Sequence, residues 1–187
     1  MSDTLYDIPV QTIDGRTQTL GDYRGKVLLI VNVASKCGLT PQYEALEKLY
    51  REQQSRGFEV LGFPANDFKQ QEPGTDEEIR SFCSTQYDVT FPLFSKISVV
   101  GDQQHPLYGA LTHAWPTAYG SQPFREKFKS RGIEPNPEPE VLWNFEKFLV
   151  DRHGKVVGRF APNVAVDDAT VRAAIEAELE RGLIPIG

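Results

Sequence analysis

The sequence predicts an α/β protein with a central mixed sheet flanked by helices. Three observations carry this expectation. Val27-Leu28-Leu29-Ile30-Val31 is an unbroken apolar run, the pattern of a strand covered on both faces. A segment of helical period and a second apolar run over residues 58–63 follow it, at the spacing of a right-handed strand–helix–strand unit. Far downstream, residues 143–150 and 155–160 flank Asp151-Arg152-His153-Gly154, a turn between two strands.

Taken in order, residues 5–10 and 17–20 flank Asp14-Gly15, which predicts an N-terminal hairpin. Gly25 introduces the buried strand, expected over residues 26–33. Thr40 is placed to cap a helix and Pro41 to occupy its first position. That helix should reach about Gln54 with Leu46, Leu49 and Tyr50 on one face, closed by Gly57. A polar loop over residues 64–74 leaves the second strand. Thr75 and Glu78 form a capping-box pattern for a helix through about Tyr87, with Ile79, Phe82 and Cys83 on its apolar face. Residues 89–94 read as a short extended piece, and residues 102–115 contain a helix with Leu107, Tyr108 and Leu111 on one side. Between 114 and 140 prolines and glycines break the pattern, leaving one or two turns over 124–128. Asp167 or Asp168 starts a last helix with Val171, Ala174, Ile175 and Leu179 inward, stopped at Arg181-Gly182. The order resembles a thioredoxin-like fold with an N-terminal hairpin and an irregular insert, a single domain over residues 1–187.

Composition narrows the function classes. A chain of 187 residues can bury a core without disulfides or metal. A formal net charge of -6 argues against a non-specific nucleic-acid or anionic membrane surface. His105, His113 and His153 form no close ligand cluster, so no metal site is expected, and His153 reads as a solvated turn residue. No basic region precedes an apolar run at Met1-Ser2-Asp3-Thr4-Leu5, and no stretch reaches membrane-span length. The expectation is a cytoplasmic protein without stable membrane association. The two cysteines, Cys37 and Cys83, form neither a disulfide framework nor a Cys-x-x-Cys pair.

Cys37 sits in Asn32-Val33-Ala34-Ser35-Lys36-Cys37-Gly38-Leu39-Thr40-Pro41, between a strand and a helix start. Free backbone N–H groups, the helix dipole and Lys36 would all favour a thiolate there. Position alone leaves both a reactive cysteine and a buried inert one open.

Four motifs together resemble the glutathione peroxidase family over nearly the whole chain. They are the segment around Cys37, Phe63-Pro64-Ala65-Asn66 through Gln71-Glu72-Pro73-Gly74, Thr90-Phe91-Pro92-Leu93-Phe94, and Trp143-Asn144-Phe145-Glu146-Lys147-Phe148-Leu149-Val150. The resemblance implies a cysteine-type peroxidase with Cys37 as the nucleophile, surrounded by Gln71, Trp143 and Asn144. Their amide and indole groups would serve as neutral donors to the thiolate and to the leaving oxygen. No cofactor is implied.

Reduction of the resulting sulfenic acid has two routes. Thioredoxin-using members of the family carry a resolving cysteine at the position of Cys83, which implies a Cys37–Cys83 disulfide recycled by thioredoxin. The alternative is a one-cysteine cycle reduced by glutathione. Cys83 falls on the apolar stripe of a helix, so a disulfide would require local unfolding around it. A peroxide sensor relaying oxidation to a partner protein would use the same two thiols. Two positions depart from the commonest pattern. Ala65 stands where relatives often carry a third cysteine. Asp67 replaces the usual Gln, and would raise the Cys37 pKa only by facing inward. The insert over 101–141 differs from the assembly loops of tetrameric relatives, so a monomer is expected, and the insert is a candidate frame for the reductant site.

Overall fold

The computed structural model describes residues 4–181. A helical turn, α1 (Thr4–Asp7), precedes the hairpin of β1 (Pro9–Gln11) and β2 (Thr17–Thr19), which pair antiparallel as expected. The central sheet contains β3 (Val27–Val33), β4 (Phe58–Pro64), β5 (Lys147–Val150) and β6 (Val156–Phe160), in the order β4-β3-β5-β6. β3 and β4 run parallel, and β5 lies antiparallel to both β3 and β6. The mixed sheet is thus a parallel strand–helix–strand unit joined to an antiparallel hairpin, the thioredoxin-like arrangement.

Period-two alternation along β3 divides the core. Leu29, Val31 and Val33 face one side, packed with Tyr43, Leu46 and Leu49 of α2 (Gln42–Gln53), Ile79 and Cys83 of α3 (Asp76–Tyr87), and Val171 and Ile175 of α6 (Ala169–Arg181). Leu28 and Ile30 face the other, packed with Leu107, Tyr108 and Leu111 of α4 (Pro106–Ala114) and with residues of the N-terminal segment. Every residue of β3 and β4 is buried, which is why both strands are mostly apolar, with Asn32 and Glu59 the buried polar exceptions.

Several expected details change. Pro41 is the N-cap of α2 rather than its first residue. The Thr40 hydroxyl accepts from Cys37 N–H at 3.0 Å and donates to the Ala34 carbonyl at 2.8 Å, so it closes the cysteine loop instead of capping the helix. The turns expected near Phe124 extend to a ten-residue helix, α5 (Ser121–Ser130), whose Phe124 is buried and whose Phe128 stacks beside it. The strand expected from Trp143 begins only at Lys147. Asn32 is the reason. Its carbonyl accepts from Phe145 N–H at 2.6 Å, its Oδ1 from Glu146 N–H at 3.2 Å, and its Nδ2 donates to the Trp143 carbonyl at 3.1 Å. These bonds hold Phe145 in the left-handed region, at φ +69°, and bend residues 143–146 away from the ladder. Residues 89–94 run extended along β4, bridged through Gly62 and Leu93, without forming a full strand. The α6 N-terminus uses Asp168, whose carboxylate accepts from Thr170 N–H at 2.8 Å. Gly182, expected to stop this helix, lies outside the described residues.

The insert is fastened by buried charge. Arg159 on β6 pairs with Glu146 and donates to the carbonyls of Trp115 at 2.9 Å and Glu140 at 3.1 Å. Burial pushes the Glu146 carboxyl above its ordinary range, with Arg159 pulling it back. The buried Lys147 ammonium donates to the carbonyls of Pro162 at 3.1 Å and Val164 at 2.6 Å.

Candidate active site

The parallel strands β3 and β4 deliver two loops to one edge of the sheet, and the bend before β5 arrives beside them. Cys37 lies on the first loop, 9% exposed. Leu39 N–H donates to its Sγ at 3.3 Å, and Thr40 N–H donates to its carbonyl at 3.0 Å. The sulfur thus sits under a backbone N–H donor at the entrance of α2, a neutral group carrying partial positive charge.

The second loop is stitched to the first. Lys36 N–H donates to the Gln71 carbonyl at 3.0 Å, and Ser35 N–H donates to Glu72 Oε1 at 3.0 Å. Lys69 and Gln70 hold left-handed φ values of +53° and +52°, the reversal that returns Gln71 toward the cysteine loop. Asn66 Oδ1 accepts from Glu72 N–H at 2.9 Å and closes the loop from within.

Asn144 is fully buried, and its Nδ2 donates to Gln71 Oε1 at 2.9 Å. This bond leaves the Gln71 amide N–H groups available as donors and commits part of the Asn144 amide to orienting Gln71. The second N–H of the Asn144 amide is not used in this bond. Trp143 is half-buried between Phe68, with ring centroids 5.2 Å apart, and Phe128 of α5, 5.0 Å away and edge-on. It packs against both halves of the core. The structure therefore gathers Cys37, Gln71, Asn144 and Trp143 at one sheet edge through the chain of contacts Lys36–Gln71–Asn144.

Cys83 is a free thiol at the middle of α3, with no exposed surface. Burial pushes it up to about 11, while the adjoining Tyr43 hydroxyl acts to lower it and the nearby Glu72 carboxylate to raise it. Tyr43 itself forms no well-directed hydrogen bond among the described residues. Asp67 points away from Cys37, as its carboxylate accepts from Ser98 Oγ at 2.9 Å and Val99 N–H at 2.7 Å. It anchors the following loop, which removes the basis for a charge effect on the thiol. Ala65 is buried and its N–H donates to the Val33 carbonyl at 3.1 Å.

Sequence reasoning missed the parts played by Glu72, Asn32, Tyr43 and Phe128. Glu72 and Asn32 lay inside motifs already singled out, where a polar residue flanked by apolar or loop neighbours was the available signal. Tyr43 and Phe128 carried none, since an aromatic residue on a helix reads only as core.

Comparison with known proteins bears on this geometry. The glutathione peroxidase family model matches residues 5–112. The thioredoxin/glutathione peroxidase BtuE of Escherichia coli is 50% identical over 183 residues, covering 97% of this chain and 100% of that protein. The hydroperoxy fatty acid reductase gpx1 of Synechocystis is 47% identical over 180 residues, covering 96% of each. Among solved structures, Trgpx in apo form is similar at 34% identity with a TM-score of 0.68, covering 95% of this chain and 96% of that one. T. cruzi GPX1 is similar at 31% identity and a TM-score of 0.67, covering 94% and 96%. The chain belongs to the glutathione peroxidase family and is a cysteine-type thiol peroxidase, an enzyme that reduces hydroperoxides through a reactive cysteine.

Proposed function

We propose that Cys37 is the peroxidatic nucleophile and that Cys83 resolves it, with thioredoxin as the reductant. The observation that carries the first part is the Leu39 N–H bond to Cys37 Sγ at the start of α2. The Cys37 thiolate attacks one peroxide oxygen, a sulfur–oxygen bond forms, the O–O bond breaks, and the alkoxide or hydroxide leaves as alcohol or water after taking a proton. The Gln71 amide and the Trp143 indole serve as neutral donors to the developing charge, and Asn144 orients Gln71. Hydrogen peroxide needs no further contact. The half-buried rings of Trp143 and Phe128, backed by the buried Phe68 and Phe124, are the apolar groups beside the site that the organic part of a larger hydroperoxide would meet.

Cys83 then displaces hydroxide from the Cys37 sulfenic acid, giving a disulfide and water. Dithiol exchange with thioredoxin returns both thiols. The presence of Cys83 on the same core face as Cys37 supports this route. Its burial within α3 requires that helix to open first. One sheet with both faces covered supports reading the chain as a single catalytic domain.

Intact mass after one equivalent of peroxide, with free thiols trapped, tests the scheme. Loss of two hydrogens and of both thiols is the expected result. Gain of one oxygen with Cys83 still alkylatable would overturn the resolving role and bring the one-cysteine glutathione cycle forward. An unchanged mass would overturn the role of Cys37.

A further inference from the structure

Two sets of bonds meet at the end of β3, and they serve different parts of the site. The first set belongs to Cys37 and is local. Leu39 N–H donates to its Sγ at 3.3 Å, Cys37 N–H donates to Thr40 Oγ1 at 3.0 Å, and that hydroxyl donates to the Ala34 carbonyl at 2.8 Å. None of these bonds involves the bend over residues 143–146.

The second set belongs to Asn32, which lies on the same strand before the cysteine loop and is fully buried. β5 stops pairing with β3 at Val31 and Lys147, so Asn32 is the first residue of β3 beyond that ladder. It reaches the bend by three bonds. Its carbonyl accepts from Phe145 N–H at 2.6 Å, its Oδ1 accepts from Glu146 N–H at 3.2 Å, and its Nδ2 donates to the Trp143 carbonyl at 3.1 Å. The residues on either side of Asn144 are therefore both tied to Asn32. The Asn144 amide itself meets Gln71 Oε1 through Nδ2 at 2.9 Å, while its Oδ1 is buried without a hydrogen bond among the described residues. Phe145 holds φ +69°, a conformation that an L residue keeps only where its surroundings impose it.

We propose that Asn32 is a positioning residue for peroxide cleavage: its clamp sets where Trp143 and the Asn144–Gln71 pair stand relative to Cys37. The rate of O–O cleavage then depends on Asn32, and the reactivity of the thiolate toward other electrophiles does not. The inference rests on the reading of Gln71 and Trp143 as donors to the leaving oxygen. In the step already described, sulfur bonds to one peroxide oxygen, the O–O bond breaks and the departing oxygen takes a proton. Asn32 exchanges no proton there, because its amide is committed to backbone groups of the bend. Its action is through geometry. Donors must stand where charge develops, and a misplacement of about 1 Å can cost on the order of 10²-fold in rate. Loss of the clamp frees Phe145 to leave its left-handed conformation and moves both neighbours with it. The sulfur keeps its Leu39 donor, which is why the two kinds of chemistry separate.

Two reagents read Cys37 in these two ways. Hydrogen peroxide requires stabilisation of a leaving oxygen, whereas the thiolate expels iodide from iodoacetamide without such donors. Both rates scale with the thiolate fraction, so their ratio at one pH cancels it. Stopped flow gives the oxidation rate, and peptide mass analysis gives alkylation at Cys37 separately from Cys83. In Asn32→Ala the ratio of oxidation to alkylation should fall about tenfold or more. Asn32→Ser, whose shorter side chain pairs at most one of the two groups, should lower the ratio in the same direction and carries the test if Asn32→Ala does not fold, as judged by urea unfolding. In a chain already carrying Gln71→Ala and Trp143→Phe, adding Asn32→Ala should leave the ratio nearly unchanged, because the donors it positions are gone. An unchanged ratio in the folded single variant, or an equal fold-loss in both backgrounds, would overturn the proposal and leave Asn32 a role in stability alone. Oxidation of the Gln71→Ala, Trp143→Phe chain at the wild-type rate would overturn the reading of those side chains as donors and this proposal with it. That result is distinguishable from the other two, since it is read with Asn32 intact.

Discussion

Opening of α3 can be tuned from a position remote from either thiol. Thr75 Oγ accepts from Glu78 N–H at 3.1 Å and Glu78 Oε1 accepts from Thr75 N–H at 2.8 Å, a complete capping box. The helix they start buries only Ile79 and Cys83 fully, so its N-terminus contributes a large share of its local stability. Thr75→Ala removes the hydroxyl acceptor and should cost about 1 kcal/mol, within a range of about 0.5–2 kcal/mol. If opening is a fast equilibrium preceding attack, the open population and the disulfide rate rise together, about fivefold for 1 kcal/mol and about 2- to 30-fold across the range. The remaining anchors, Ser95 Oγ and Lys96 N–H on the Asp76 carboxylate, are left intact, so the effect stays local. Single-turnover rapid quench at saturating peroxide reads the disulfide step directly. A thermal melt, expected to shift down by about 2–4 °C per kcal/mol, shows that the cap was lost. A destabilised variant whose disulfide forms no faster than wild type would refute the opening mechanism.

Two other perturbations probe the frame of the site. Burial lowers Lys147 from the ordinary value of 10.5 to about 7. Between these values the unfolded chain binds more protons than the folded one, so stability should rise with pH above 7, by up to about 1.4 kcal/mol per pH unit. Urea unfolding from pH 7 to 8.5, below the titration of an ordinary thiol, should show that slope in the wild type and lose it in Lys147→Met; a slope retained in the variant would assign it elsewhere. Phe128→Ala removes the edge-on ring from Trp143 and should slow Cys37 oxidation about two- to tenfold, the equivalent of the roughly 0.5–1.5 kcal/mol in an aromatic pair. A stopped-flow oxidation rate equal to wild type would show that Phe68 and the core hold the indole without α5.

The part of the site legible in the sequence was the part encoded locally. The strand–loop–helix context of Cys37, the capping box of Thr75 and Glu78, and the core face of Cys83 all follow from residues within one or two turns of each other. The roles of Gln71, Trp143 and Asn144 came from the family resemblance, because a polar loop residue, a tryptophan and an asparagine carry no local mark of chemistry. The bend over residues 143–146 was not legible: Trp143-Asn144-Phe145-Glu146 has strand composition, and the competing claim comes from Asn32, more than a hundred residues earlier. Asp67 was ambiguous for the same reason, as its partners Ser98 and Val99 lie on a separate loop.

The sequence by itself determined that β3 and β4 would be buried, parallel neighbours and that their loops would leave one sheet edge, since apolar continuity and crossover handedness depend only on local pattern and chirality. Only the tertiary structure decided which polar groups meet there. Asn144 reaches Gln71, Glu72 reaches Ser35, and α5 reaches Trp143 because the fold closes contacts between segments whose separation no periodicity records. Burial was settled at the same level: the environments of Cys83, Glu72 and Lys147 are set by what packs over them, and so their proton affinities belong to the fold and not to the residues alone.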